Sequence, residues 1–224
     1  MTRPAALVTT GPASVPIDKV RRITNAASGE IGALLAEALI GRGWEVFVCR
    51  GTGATHRDLP RDARLHEFAT NQDLAGTLEE LSETRGRDIA GFFHSAALAD
   101  YDIAALRGPD GSLDRRGKLP GDLAQIHLVL EPAEKILPRL RSWFPRAWIA
   151  GWKYELEGTR EDAIVAGRGQ LASGRTDATV VNGAAYGPGF GLLEEAKSPL
   201  HFATKRELAD FLASRAMTAA KADE

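Results

Sequence analysis

The chain has one cysteine in 224 residues, Cys49, which excludes an intrachain disulfide and leaves no CxxC-type metal pattern. Cys49 lies inside the apolar run VFVCR and reads as a small buried core residue. No apolar run approaches the ~20 residues that a membrane-spanning helix needs, so no membrane association is expected. The opening MTRPAALVTTGP lacks the apolar segment of a secretory signal, and a cytoplasmic location is the expectation. Neither sign of charge dominates. The 28 Lys and Arg stand against 30 Asp and Glu, a net charge of -2, which argues against a general nucleic-acid binder but leaves room for a local basic pocket. GxGxxG, GxSxG and HExxH are all missing, and the five histidines (His56, His66, His94, His127, His201) show no metal-ligand spacing. Metalloenzyme and serine-hydrolase chemistries therefore lack support. Internal repeats and low-complexity tracts are absent as well.

What is present is an ordinary globular composition, 44% hydrophobic and 26% charged, in a chain long enough to bury one substantial core. ALVTT (residues 6–10) reads as a buried parallel strand, and apolar residues from Ile31 to Leu39 recur at helical spacing. Strands are predicted at 44–50, 64–69, 89–98 (running into a small-residue turn), 146–152 and 178–182, with helices at 71–85, around 132–143, at 160–173 and from about Leu208 to Met217. This alternation predicts an α/β, Rossmann-like, doubly wound sheet that is mainly parallel, with helices on both faces. The stretch from about 107 to 131 departs from it. RGPDGSLDRRGKLPGD is polar and rich in Gly and Pro, and QIHLVLE alternates like a half-exposed strand. The expected organisation is one domain over 1–224 with an arm-like β insert at about 107–131.

The chain is organised around IDKVRRITNAASGEIG, residues 17–32, between the first strand and the first helix. Ser28 is a suitable N-cap, and Gly29 lets a ligand approach the backbone. Free N–H groups and the helix dipole make such a turn an anion site, which sets Asn25, Ser28, Gly29 and Gly32 out as a phosphate cradle. The other reading is a helix cap after a long loop. In a doubly wound sheet, ligands bind at the carboxyl ends of strands. HSAALADY (94–101) lies at that edge too, where Ala96, Ala97 and Ala99 admit a substrate and Asp100 can orient a hydroxyl or a metal, with Tyr101 beside it. The alternative there is a close-packed junction. Lys118 can neutralise charge on a phosphoryl or carboxylate oxygen, Trp152 can stack on a base, and Asn182 can contact a ligand or pin a loop. Each has a plainer reading as surface charge, core filling or loop support. His94 reads as a satisfied structural histidine.

In order, these segments resemble the phosphopantothenoylcysteine synthetase family (phosphopantothenate–cysteine ligase of coenzyme A synthesis). Its pattern PID-x-VR-x-I-[ST]-N-x-x-SG-x-x-G is matched by PIDKVRRITNAASGEIG, AA-x-ADY by AALADY (96–101), GF-x-x-E by GWKYE (151–155) and VAN by VVN (180–182). The resemblance runs from Val8 to the C-terminal helix. It implies activation of a carboxylate by CTP or ATP with Mg2+, an acyl-nucleotide intermediate, displacement by the amine of cysteine, and a homodimer formed partly through an extended arm. It further implies that Asn25 holds the intermediate, that Ser28 and Gly29 receive the triphosphate, that Asp100 serves metal or substrate, and that Trp152 meets the base. Flavin is not expected, because the flavoprotein half that often precedes this domain has no counterpart here; a separate decarboxylase flavoprotein is the implied partner.

Several positions depart from the pattern. The family's KIKK-like motif is reduced to GKLPG, with Lys118 on its first lysine and Pro120 and Gly121 on others; Arg115 and Arg116 stand near to compensate. Gly183 replaces the aspartate after VVN, the lysine expected before that strand falls among Ser173–Arg175, and Lys153 and Tyr154 occupy positions where small residues are usual. Two alternatives stand beside the ligase reading. A short-chain-type NAD(P) oxidoreductase predicts a tight GxxxGxG after strand one, which TTGPASV does not form, and a Tyr-xxx-Lys pair, which Tyr101, Tyr154 and Tyr186 do not form. A catalytically degenerate nucleotide-binding protein is the other.

Overall fold

Apolar runs that are continuous rather than alternating belong to strands covered on both faces, and the central strands here have that character. The computed structural model describes residues 3–222 except 110 and 115. In chain order its elements are β1 (Ala5–Thr10), β2 (Ser14–Pro16), β3 (Arg22–Thr24), α1 (Glu30–Ile40), β4 (Glu45–Gly51), β5 (Arg64–Phe68), α2 (Asn71–Arg85), β6 (Ile89–His94), β7 (Tyr101–Gly108), β8 (Gly111–Ser112), β9 (His127–Pro132), a 3-10 turn (Leu137–Arg139), α3 (Leu140–Trp143), β10 (Trp148–Tyr154), α4 (Arg160–Gly174), β11 (Ala178–Asn182), β12 (Phe190–Glu194), β13 (Leu200–Phe202) and α5 (Lys205–Ala222).

Eight strands form the main sheet in the order β13-β12-β11-β10-β6-β1-β4-β5. The six from β11 to β5 are parallel, while β12 and β13 run antiparallel at one edge. Every residue of β1 is buried. Its Ala6 and Val8 face a core completed by Leu35 and Leu39 of α1 and Leu208 and Leu212 of α5. Ala5 and Leu7 face the opposite core, with Leu74 and Leu78 of α2 and Leu140 of α3. Period two in the strand thus divides one apolar run between two layers of helices. Capping boxes start α2 (Thr70 with Asp73) and α4 (Thr159 with Asp162), so their first N–H groups are satisfied locally.

The α/β doubly wound expectation matches this architecture, with four local corrections. The antiparallel strands β12 and β13 were not foreseen, because FGLLE follows directly on a glycine-rich loop and has too few apolar residues to stand out. The predicted long loop after β1 contains the small β2–β3 ribbon. The helix expected over 132–143 is a 3-10 turn followed by the four-residue α3, since β9 runs on to Pro132. The arm begins at Tyr101, earlier than expected, and all six residues of β9 are exposed, so QIHLVLE does not alternate. The arm is a three-stranded ribbon in the order β8-β7-β9, a sheet separate from the main one.

Candidate functional site

Chain order along the parallel strands reverses between β1 and β6, which places a crevice at their carboxyl ends. The backbone continues the pairing past both strands: Ser95 N donates to Thr9 O at 3.0 Å, Ala97 N to Gly11 O at 3.0 Å, and Ala13 N to Ala97 O at 3.0 Å. Asn25 closes this junction. Its Nδ2 donates to Leu98 O at 2.9 Å and to Ala97 O at 3.4 Å, while its Oδ1 has no partner among the described residues. Asn25 and Ala97, separated by 72 residues, are thus brought into direct contact.

The start of α1 stands beside that junction. Gly29, not Ser28, is the N-cap; its φ of 83° is a left-handed conformation that a side chain rarely adopts. Ser28 acts one position earlier, with its Oγ accepting from Glu30 N at 3.3 Å. Thr10 Oγ1 donates to Gly29 O at 3.1 Å and His56 N to Ser28 O at 2.9 Å, so the turn is held by the ends of β1 and of the loop after β4. No hydrogen-bond partner is found for the amides of Ile31 and Gly32 among the described residues. These are the first-turn donors that every helix leaves open. The lack of a side chain at Gly32 has a packing cause: a Cβ there would meet Thr10 Cβ at 2.3 Å. The phosphate-cradle assignment of Gly32 therefore rests on its amide alone.

A cavity of about 450 Å3 opens on the β10 side of the same junction, with His94, Asp100, Lys135, Trp152 and Gln170 in its wall. Trp152 packs against the α1–α5 core and its carbonyl accepts from Gln170 Nε2 at 3.0 Å. His94 is buried and pairs with Thr9 Oγ1 through Nδ1 at 2.7 Å. Burial pushes its pKa down to about 4, so the ring is neutral at ordinary pH. Asp100 is exposed and ion-pairs with Lys135, a cation that the sequence alone did not single out. Among the described residues no cluster of three or more His, Cys, Asp or Glu could hold a metal ion.

The remaining candidates lie outside that cavity wall. Tyr101 is 55% exposed at the root of the arm. Asn182 ends β11, where its carbonyl accepts from Glu155 N at 2.9 Å. The next residue, Gly183, has φ 115° and no room for a Cβ, which would meet Glu155 O at 2.2 Å. An aspartate does not fit that backbone. Lys118 is exposed with no partner among the described residues. Arg116 is committed to Asp114 at 3.0 Å, and Arg115 lies outside the described residues.

Asp18, to which the sequence alone gave no role, explains how the arm reaches this end of the molecule. Its side chain is fully buried. It accepts from Val20 N (2.8 Å), Arg21 N (2.7 Å), Arg21 Nη1 (2.9 Å) and, across 101 residues, Leu119 N (3.0 Å). Burial works to raise its pKa, but the amides of Leu119, Val20 and Arg21 and the Arg21 guanidinium outweigh it and bring the carboxyl down to about 2. Lys19 N adds a bond to Gly117 O at 3.2 Å. Lys118 is therefore fixed beside the turn that leads to Asn25. The PID portion of the motif is the one signal in the sequence that pointed there.

Comparison with known proteins fits this geometry. The family model described as the DNA/pantothenate metabolism flavoprotein C-terminal domain matches residues 1–219. The chain belongs to that family. A coenzyme A biosynthesis bifunctional protein CoaBC from Thermococcus kodakarensis is 30% identical over 179 residues, covering 79% of this chain and 40% of that protein. A CoaBC from Methanocaldococcus jannaschii is 28% identical over 148 residues, covering 66% of this chain and 32% of that protein. The chain thus spans less than half the length of these curated relatives. Among solved structures, the DNA/pantothenate metabolism flavoprotein from Streptococcus pneumoniae superposes with a TM-score of 0.82 at 23% identity, covering 96% of this chain and 99% of the other. A Cab2 mutant, H337A, in complex with phosphopantothenate-cysteine gives a TM-score of 0.75 at 15% identity, covering 98% of this chain and 88% of the other. These two likenesses establish a shared fold. Membership of the family leaves the oxidoreductase alternative without support.

Proposed function

We propose that this domain is a nucleotide-dependent ligase joining 4′-phosphopantothenate, or a related acid, to the amine of cysteine. The observation that carries the reading is the Asn25 bridge, which ties the family-pattern loop to AALADY beside an open helix start. The relatives named for coenzyme A biosynthesis and the neighbour that holds phosphopantothenate-cysteine supply the substrate class.

In this reading a carboxylate oxygen of the acid attacks the α-phosphorus of CTP or ATP and pyrophosphate leaves. The amine of cysteine then attacks the acyl carbon, the nucleoside monophosphate departs, and a proton leaves the nitrogen. The open amides of α1 receive phosphate oxygens, Asn25 offers its free Oδ1 and fixes the two loops, and Trp152 borders the space for the base. Lys118, held on the arm by the Asp18 anchor, adds positive charge. Positioning and charge neutralisation supply most of what such transfers need. Asp100 and Glu134 are the carboxylates in the cavity wall; Mg2+ bound with the nucleotide's phosphates would supply further neutralisation of the phosphates. The exposed row Leu128, Val129 and Leu130 on β9 suits a second copy of this chain, as in a homodimer. A separate flavoprotein decarboxylase is the reading for an upstream partner.

The deciding experiment is pyrophosphate release with 4′-phosphopantothenate, Mg2+ and either CTP or ATP, with and without cysteine. Release that requires the acid is expected. Nucleotide binding without release under any of these conditions would move the reading to a degenerate nucleotide-binding protein.

A further inference from the structure

Four charged side chains border the 450 Å3 cavity: Asp100, Glu134, Lys135 and Lys153. Two of them are engaged by residues outside its wall. Glu134 accepts from Arg139 Nη1 at 2.8 Å, and Lys153 Nζ lies 2.9 Å from Glu155 Oε1. What remains is the pair of Asp100 with Lys135, facing each other across the cavity's own wall.

The main chain around Lys135 is fixed on both sides. Ala133 N donates to Asp100 O at 2.9 Å, and Ile136 is buried in the core between the sheet and α2. The side chains of Lys135 and Asp100 are nonetheless 59% and 74% exposed. An ion pair this open contributes little to folding, so stability does not account for it. A lysine ammonium carries three donors, and Asp100 is the one partner it has among the described residues. Two N–H groups therefore remain for a ligand, on a cation that one carboxylate has already oriented. By contrast Lys118, the sequence's candidate, is not in this wall.

We propose that Lys135 binds a phosphate oxyanion of a substrate, with Asp100 positioning its ammonium, and so supplies charge that GKLPG lacks. The phosphate comes from the acid or from the nucleotide. This rests on the ligase reading given above. Steady-state kinetics of wild type, Lys135→Ala and Lys135→Arg, varying each substrate in turn, test it. A charge-assisted hydrogen bond of this kind predicts a KM raised roughly tenfold or more in Lys135→Ala. That rise comes with a smaller change in kcat, an unchanged melting temperature and substantial recovery in Lys135→Arg. A rise confined to the acid, and lost when pantothenate replaces 4′-phosphopantothenate, assigns the acid's phosphate; a rise confined to CTP or ATP assigns the nucleotide's. KM values for both substrates within twofold of wild type would overturn the proposal. Should wild type show no turnover, the ligase reading fails separately, and calorimetric titration with 4′-phosphopantothenate and with CTP still decides the role of Lys135. Weakening of either by roughly tenfold in Lys135→Ala supports it, and equal affinities for both ligands sink it.

Discussion

The carboxyl end of the sheet and the β7–β9 arm solve the same problem, holding loop residues in place, by opposite means. At the sheet end, three backbone segments converge so closely that side chains are excluded: a Cβ on Gly11 would lie 2.9 Å from Ala54 Cβ, and one on Gly32 2.3 Å from Thr10 Cβ. Position there is set by packing and main-chain bonds. The arm has an exposed outer strand and is tethered by one buried carboxylate, Asp18, reaching Leu119 N. Rigid placement is thus a property of the sheet end, whereas the residue carried on the arm depends on a few polar contacts from one turn, Asp18 with Leu119 N and Lys19 N with Gly117 O.

Each half of that contrast can be broken separately. The largest effect is expected from Asn25→Ala, which removes the bridge while leaving the sheet intact; pyrophosphate release should fall by about 10²-fold or more, with little change in melting temperature. Gly32→Ala attacks the packing instead. It should destabilise the fold by about 3 kcal/mol, since the helix or Thr10 must move, read by urea unfolding. Acid sensitivity comes next. His94 has a folded pKa of about 4 against an ordinary 6.5, so the unfolded chain binds the extra proton. Stability should be full above pH 6.5 and fall as pH drops toward 4, by up to about 1.4 kcal/mol per pH unit. His94→Gln should flatten that slope in melts taken across the range. Asp18→Asn should leave the core standing but loosen the arm, with roughly tenfold faster proteolysis near Gly117–Leu119. The smallest stability change belongs to Leu130→Asp on exposed β9, within about 0.5 kcal/mol; its effect should appear in sedimentation, as loss of the proposed dimer.

The parts of the candidate site that were legible in the sequence are those built from neighbours in the chain. Asn25, Ser28 and Gly29 precede an apolar period of 3.6, and that pattern announced a loop and helix start without any structure. Even there the cap moved by one residue, because Gly29 takes a left-handed turn between Thr10 and Ala54. Lys135 and Asp18 were not legible. Lys135 looks like any solvated lysine until Asp100 is found opposite it, and Asp18 looks like a turn residue until Leu119 arrives from 101 positions away. Gly183 is the converse case: its departure from the family aspartate reads as lost chemistry in sequence, and as a φ of 115° against Glu155 O in the fold.

By itself, then, the sequence determined the layer order of this protein, since continuous apolar strands alternating with amphipathic helices have few ways to bury both faces. Its local capping and turn chemistry likewise set where the loops of the site begin. Tertiary structure alone decided which polar groups meet: Asn25 with Ala97, Asp18 with Leu119, Lys135 with Asp100. The physical reason is range. Periodicity and propensity act over a few residues, whereas hydrogen bonds and ion pairs act over a few ångströms, and only the folded sheet brings residues far apart in the chain within that distance.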